Sequence, residues 1–137
     1  MLNLKVITPK KLAYEKEIVS LTAPTAVGEI TILPKHSNLL SLLQEGVIMI
    51  KTTKEIEYLS IGGGYLETDG KSIRVLVSRA YGQDEINESE TKKAMESAQK
   101  IRQNSKDRQE RNEALSTIRR SVVDMKLLQK MRKRRTS

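Results

Sequence analysis

The chain has one histidine, His36, and no cysteine in 137 residues. That pair of facts removes most side-chain chemistry. Protein zinc sites draw on Cys and His, so a transition metal here would rest on carboxylates. A His acting as general base needs a nucleophile beside it and a group to orient it, and no Ser/His/acid arrangement is visible. Gly62-Gly63-Gly64 invites a phosphate-cradling loop. No Gly-Lys-Ser/Thr follows it, however, and Glu67 stands where a dinucleotide fingerprint needs its third glycine. The glycines read instead as a bulge or tight strand crossing where a Cβ would clash. No catalytic, metal or cofactor-binding residue is expected. Cations remain: Arg119, Arg120 and Lys126, then Lys130, Arg132, Lys133, Arg134 and Arg135. They suit an acidic protein surface, nucleic acid or an anionic membrane; for the last five residues a solvated, frayed terminus is the better reading. No aromatic lies between residues 82 and 137, so base stacking is unavailable and nucleic acid is the weaker reading.

The elements that carry these residues fall into two textures. Through residue 83 the sequence alternates. Leu2, Leu4 and Val6 interleave with Asn3 and Lys5; Val19, Leu21 and Ala23 do the same before Pro24. Gly28 allows a turn, Glu29-Ile30-Thr31-Ile32 reads as a strand, and Pro34 stops it because proline cannot donate to a ladder. His36 and Asn38 then sit in an exposed turn, with Leu39-Leu40 returning to a core. Val47 to Ile50 is apolar on both faces, as a central strand would be. Ile73, Val75 and Val77 alternate again, and Asp69-Gly70 before them is a hairpin signal because both residues tolerate positive φ. Short strands broken by turns every 8–12 residues predict an all-β sandwich or barrel over 1–83. There is no Phe and no Trp, so its core must be aliphatic.

From residue 84 the period changes. Asn87 with Glu90 makes a capping-box-like start, and Ala94, Ala98 and Ile101 follow at i, i+4, i+7. The polar run Gln103 to Lys106 breaks the helix, and Asp107 with Glu110 starts another. Leu115, Ile118, Val122 and Met125 recur at 3, 4, 3, with Leu128 and Met131 extending the stripe. The spacing predicts an antiparallel two-helix hairpin over 84–137. Charge is uneven too: residues 1–83 hold 10 Lys and Arg against 8 Asp and Glu, and residues 84–137 hold 15 against 9. An acidic partner would therefore meet the arm. No apolar run approaches the roughly 20 residues of a membrane helix. The N-terminus shows no signal or transit layout, and the absence of Cys fits a reducing compartment.

The stretch Gly28-Glu29-Ile30-Thr31-Ile32-Leu33-Pro34-Lys35-His36 resembles a turn in the epsilon subunit family of F-type ATP synthases, bacterial or plastid type. Gly62-Gly63-Gly64-Tyr65-Leu66-Glu67 resembles that family's glycine pair followed by an aromatic and an acid, and the β-then-helix layout fits over nearly the whole chain. The resemblance implies a non-catalytic rotor subunit of the central stalk that couples proton flow through the membrane ring to ATP synthesis. It implies that the β domain docks on the gamma subunit and the ring of c subunits, with Glu29 and His36 in contact. It also implies that the helical arm reaches the alpha and beta catalytic subunits through Arg119, Arg120 and Lys126 and inhibits hydrolysis. Such a subunit is peripheral, on the cytoplasmic face of the cell membrane or the stromal face of the thylakoid. Some members bind ATP through an apolar residue and Asp, two variable positions, then Arg-Ala. Here the matching positions are Ile86-Asn87 and Glu90-Thr91, and an acid at Glu90 would repel phosphate, so no ATP is expected. The alternative from another class is a stand-alone basic-helix module for nucleic acid or an anionic membrane.

Overall fold

In β1 (Leu2–Ile7) Leu2, Leu4 and Val6 are buried, while Asn3, Lys5 and Ile7 lie on the other face. It is the first of ten strands in a computed structural model that describes residues 1–82 and 85–136, with side chains through Lys130. Gln83 and Asp84, at the expected change of texture, lie outside the described residues. So do the side chains of Met131 and of Arg132 to Arg135 in the basic run. The chain forms two compact units, Met1–Gly82 and Gln83–Ser137.

In the first unit β2 (Leu12–Ile18), β3 (Ser20–Thr25), β4 (Gly28–Ile32), β5 (Leu39–Leu43) and β6 (Gly46–Lys51) follow β1. They are succeeded by β7 (Ile56–Ile61), β8 (Gly64–Thr68), β9 (Ser72–Val77) and β10 (Ala80–Tyr81). The strand path is β10-β7-β6-β3-β5-β8-β9-β1-β2, and β4 pairs with β3 alone. β3 and β5 share one register pair, Thr25 with Leu43, so the sheet folds there into a sandwich. Leu2, Leu4, Ile18, Leu21, Ile32, Ile48, Ile50, Ile61, Leu66 and Ile73 are fully buried between the layers. The core is aliphatic, as a chain without Phe or Trp requires.

Side chains close the sandwich where backbone pairing stops. β2 ends the path and pairs only with β1, yet Tyr14 and Lys16 reach across to Glu57 on β7. The Lys16 ammonium donates at 2.8 Å, and the Tyr14 hydroxyl also donates to the carboxylate.

Several expectations are corrected. β3 runs through Pro24 instead of ending before it. Pro24 pairs with Glu29, and its carbonyl accepts from the Gln44 N–H at 3.0 Å. The Asp69-Gly70 hairpin exists, but Thr68 pairs with Ile73, leaving four residues in the turn. Only Gly70 has positive φ. The Asp69 carboxylate instead accepts from the Lys71 and Ser72 N–H groups at 2.9 and 2.8 Å, the local bonding that Asp offers a turn. Leu40 does not return to the core: it is 68% exposed, on the outer face of β5.

In the second unit α1 (Glu88–Asn104) starts on Asn87, whose side chain accepts from the Glu90 N–H at 3.0 Å. Glu88 and Lys92 pair at i,i+4. α2 (Arg108–Thr136) follows a Ser105–Asp107 break, with the Asp107 carboxylate accepting from the Gln109 N–H at 2.9 Å. The expected apolar stripes hold in part: Ala98 and Leu128 are buried. Ile101 and Val122 are exposed, and Leu115, Ile118 and Met125 half-buried. Also buried on α2 are Ala114, Ser121, Val123, Asp124 and Leu127; Ala114 and Ser121 each lie one residue, about 100°, from the expected Leu115 and Val122. Ala94, Ala98, Ala114 and Thr117 line one α1–α2 seam.

Candidate functional site

The outer face of the β5-β8-β9-β1-β2 layer carries an apolar row. Leu42 pairs with Tyr65, Tyr65 with Leu76, Leu76 with Ile7 and Ile7 with Leu12. One residue from each of five strands therefore stands side by side on the side away from the core. Leu42 is 69% exposed, Leu12 52% and Tyr65 43%, with Leu76 and Ile7 half-buried. Scattered exposed apolar residues are normal, but a contiguous run of large ones marks a contact surface. Beside it runs a charged row in the same register: Glu67 opposite Arg74, Arg74 beside Lys5, Lys5 opposite Glu15. Glu67–Arg74 and Lys5–Glu15 form ion pairs at 3.3 and 3.7 Å.

Glu29 and His36 belong to a neighbouring edge. Glu29 is exposed near the start of β4, an outer strand paired only with β3. His36 is half-buried in the loop beyond the other end of β4. With about 3.3 Å per strand residue, the two are on the order of 10 Å or more apart, so they mark two ends of one edge. The His36 N–H donates to the Leu33 carbonyl at 3.2 Å, and Nδ1 bonds the Ser37 carbonyl at 2.7 Å. That bond places the proton on Nδ1 and leaves Nε2 for another group. The loop rests on the β8–β9 turn: the Lys35 N–H donates to the Gly70 carbonyl at 2.9 Å.

Arg119, Arg120 and Lys126 are exposed on α2. Arg119 and Lys126 share a face at seven residues' spacing, with Val122 exposed between them. The arrangement is a basic edge with one open apolar residue.

The glycine triplet has a steric role. A Cβ on Gly64 would lie 2.0 Å from the Leu76 carbonyl oxygen, and one on Gly62 2.1 Å from the Ser78 hydroxyl. Beside it the Arg79 guanidinium meets the Glu45 carboxylate at 2.9 Å. Partial burial pulls the Arg79 charge down, but bonds to Tyr81 and Glu45 hold it above its ordinary range. Among the described residues no group of three His, Asp or Glu could hold a metal, and no helix is long and apolar enough to cross a membrane.

The apolar row was not anticipated. A signal existed in Leu39-Leu40-Ser41-Leu42-Leu43, apolar on both faces in a domain too small to bury both. Leu12, Ile7 and Tyr65 gave none, because their alignment depends on which strands become neighbours.

Residues 1–83 match the family described as ATP synthase, Delta/Epsilon chain, beta-sandwich domain. An ATP synthase epsilon chain from Sulfurimonas denitrificans is 36% identical over 118 residues, covering 85% of this chain and 88% of the relative. A chloroplastic epsilon chain from Anthoceros angustus is 32% identical over 99 residues, 72% of each chain. In fold, the chain is similar to one in the cryo-EM structure of Euglena gracilis mitochondrial ATP synthase, OSCP/F1/c-ring. The TM-score there is 0.74 at 18% identity, covering 85% of this chain and 74% of the other.

Proposed function

The chain belongs to the ATP synthase delta/epsilon family as a non-catalytic epsilon-type subunit, and on that premise we propose that it is a rotor subunit of the central stalk. The β unit docks on the gamma subunit through the outer-face row Leu42, Tyr65, Leu76, Ile7 and Leu12. It meets the ring of c subunits through Glu29 and His36. Proton flow through the ring then turns this chain with the stalk, and ATP is made at catalytic sites elsewhere in the complex. The helical arm inhibits hydrolysis by presenting Arg119, Arg120 and Lys126 to an acidic surface of the alpha and beta subunits. The protein sits peripherally on the cytoplasmic face of the cell membrane, or on the stromal face of a thylakoid in a plastid.

The observation that carries the docking role is the register of the apolar row. Five strands must pair in one order to align it, and its large side chains are left in water on a sheet whose other face is already a complete core. Burying a side chain of this size contributes about 1.5–3 kcal/mol, enough across a row to hold a subunit on a stalk. A double variant, Leu42→Glu with Tyr65→Glu, tests the reading in ATP synthase stripped of its epsilon chain and reconstituted. The variant should fold, since both side chains lie outside the core, and should fail to co-purify with the complex. Co-purification at the wild-type level would end the docking role of this face.

A further inference from the structure

Two left-handed backbone positions face each other across two loops. Lys35, after β4, has φ 68°, and Gly70, in the β8–β9 turn, has φ 89°. A non-glycine residue seldom adopts that conformation and keeps it only where its surroundings over-determine it. Here the surroundings are the turn. The Lys35 N–H donates to the Gly70 carbonyl at 2.9 Å. The loops meet so closely that a Cβ on Gly70 would stand 2.6 Å from the His36 carbonyl oxygen and 3.4 Å from the Lys35 Cα. Gly70 is buried even though it lies at a hairpin tip.

The turn is braced independently of the loop. Besides the Asp69 carboxylate bonds, the Thr68 hydroxyl donates to the Ser72 carbonyl at 2.8 Å and accepts from the Gly70 N–H at 3.1 Å. The loop has fewer bonds of its own, so the turn positions the loop. Next to the contact, exposed Lys71 on the turn joins exposed Lys35 on the loop. Two ammonium groups suit carbonyl or carboxylate acceptors, and the imidazole Nε2, an acceptor while Nδ1 carries the proton, suits a hydroxyl or N–H donor on the same polar loop.

We infer that the β8–β9 turn is the second half of the contact end, with Gly70 a positioning residue that sets Lys35 for an acceptor, and His36 for a donor, on a polar loop of the partner. The inference rests on reading His36 as a contact residue, and the test separates the two. Three full-length variants, His36→Ala, Gly70→Ala and Asp69→Ala, are compared by amide NMR and by affinity for ATP synthase membranes stripped of epsilon chain. Gly70→Ala should shift the Lys35, His36 and Ser37 amides, leave those of β6 and β7 in place, and weaken binding at least about tenfold. His36→Ala should weaken binding without moving the β8–β9 turn. If Gly70→Ala does not fold, Asp69→Ala takes its place, since it loosens the turn without touching His36, and it should shift the same loop amides and weaken binding. The inference is overturned if His36→Ala weakens binding while the turn variant displaces the loop and binds normally, or if the turn variant leaves the loop amides unmoved. Should none of the three variants lose affinity, the contact reading of His36 falls, and this inference with it.

Discussion

At the scale of single residues, the glycine triplet divides by what each backbone meets. A methyl on Gly64 would meet the Leu76 carbonyl oxygen at 2.0 Å, which is backbone and cannot swing away, whereas one on Gly63 has its nearest contact at 3.8 Å. Gly64→Ala should therefore destabilise the β unit by roughly 1–3 kcal/mol or more, while Gly63→Ala should be tolerated. Urea midpoints compare the two directly, and equal midpoints would show the strand crossing to be soft. The glycines were legible as a crossing from sequence; which of them is obligatory was not, because that depends on β9 passing close to Gly64. Glu57 gives a second test. Partial burial pushes its carboxyl up, but bonds from Lys16 and Tyr14 together outweigh that and hold it below the usual carboxylate range. A depressed carboxyl contributes stability above its unfolded pKa, near 4.3, and loses it as pH falls through the folded value. Glu57→Gln should thus cost about 1 kcal/mol at pH 7, and the gap to wild type should narrow as the pH falls below the unfolded value. Tyr14 shifts the opposite way: burial first, then the Glu57 bond, push its phenol up. Its share is present below pH ~10 and fades above it. A melting difference for Glu57→Gln that stays constant from pH 7 to pH 3 would refute the assignment.

At the scale of elements, strands with one wet and one dry face were legible by their alternation, and Val47 to Ile50 by its apolar run. β1 and β9 alternate because their outer residues include Asn3, Lys5 and Arg74. β2 was missed because Leu12 to Ile18 carries Glu15, Lys16 and Glu17 in succession, and at the sheet end only Ile18 of its side chains is fully buried. The α2 stripe was legible only in part: Leu128 is buried as its spacing implies, but Ala114 and Ser121 are buried beside Leu115 and Val122, and Val122 is exposed. That exposure bears on the arm's action. Val122 is exposed between Arg119 and Lys126 and so joins the basic edge. One exposed ion pair is worth only about 0.2–1 kcal/mol, so no single cation should control the arm, but several act together on a two-state element. Reversing Arg119, Arg120 and Lys126 together to Glu should raise ATP hydrolysis by the reconstituted complex nearly as much as truncation after Gln103. Each single reversal should change it little. Hydrolysis unchanged by both the triple reversal and the truncation would leave the arm a prop with no hold on the catalytic head.

At the scale of the molecule, core and charge are segregated. The buried hydrophobic cluster of the β unit runs from Leu2 to Ala80. Most of the excess positive charge lies after residue 83. A fragment of residues 1–83 therefore retains every core side chain, the apolar row, Glu29, His36 and the Tyr14–Glu57–Lys16 link. A domain of this size buries only about 60% of its unfolded surface, so its margin is thin, but nothing in the cluster is lost with the arm. The helices stand differently. Isolated helices of 17 residues are marginal in water, and the seam between them is lined largely by small side chains. We expect limited proteolysis to cut first between Gln103 and Asp107, at the break between α1 and α2, and to leave a stable β fragment. That fragment should rejoin stripped ATP synthase with an affinity that changes little between low and high salt, because its contacts are mainly apolar. The full chain should bind more tightly than the fragment at low salt, and the difference should shrink near 1 M salt, where the screening length is about 3 Å. If the fragment unfolds, or binds only at low salt, the arm is integral to the docking unit. Assembly and braking would then be one function of the whole chain, not two functions of two parts.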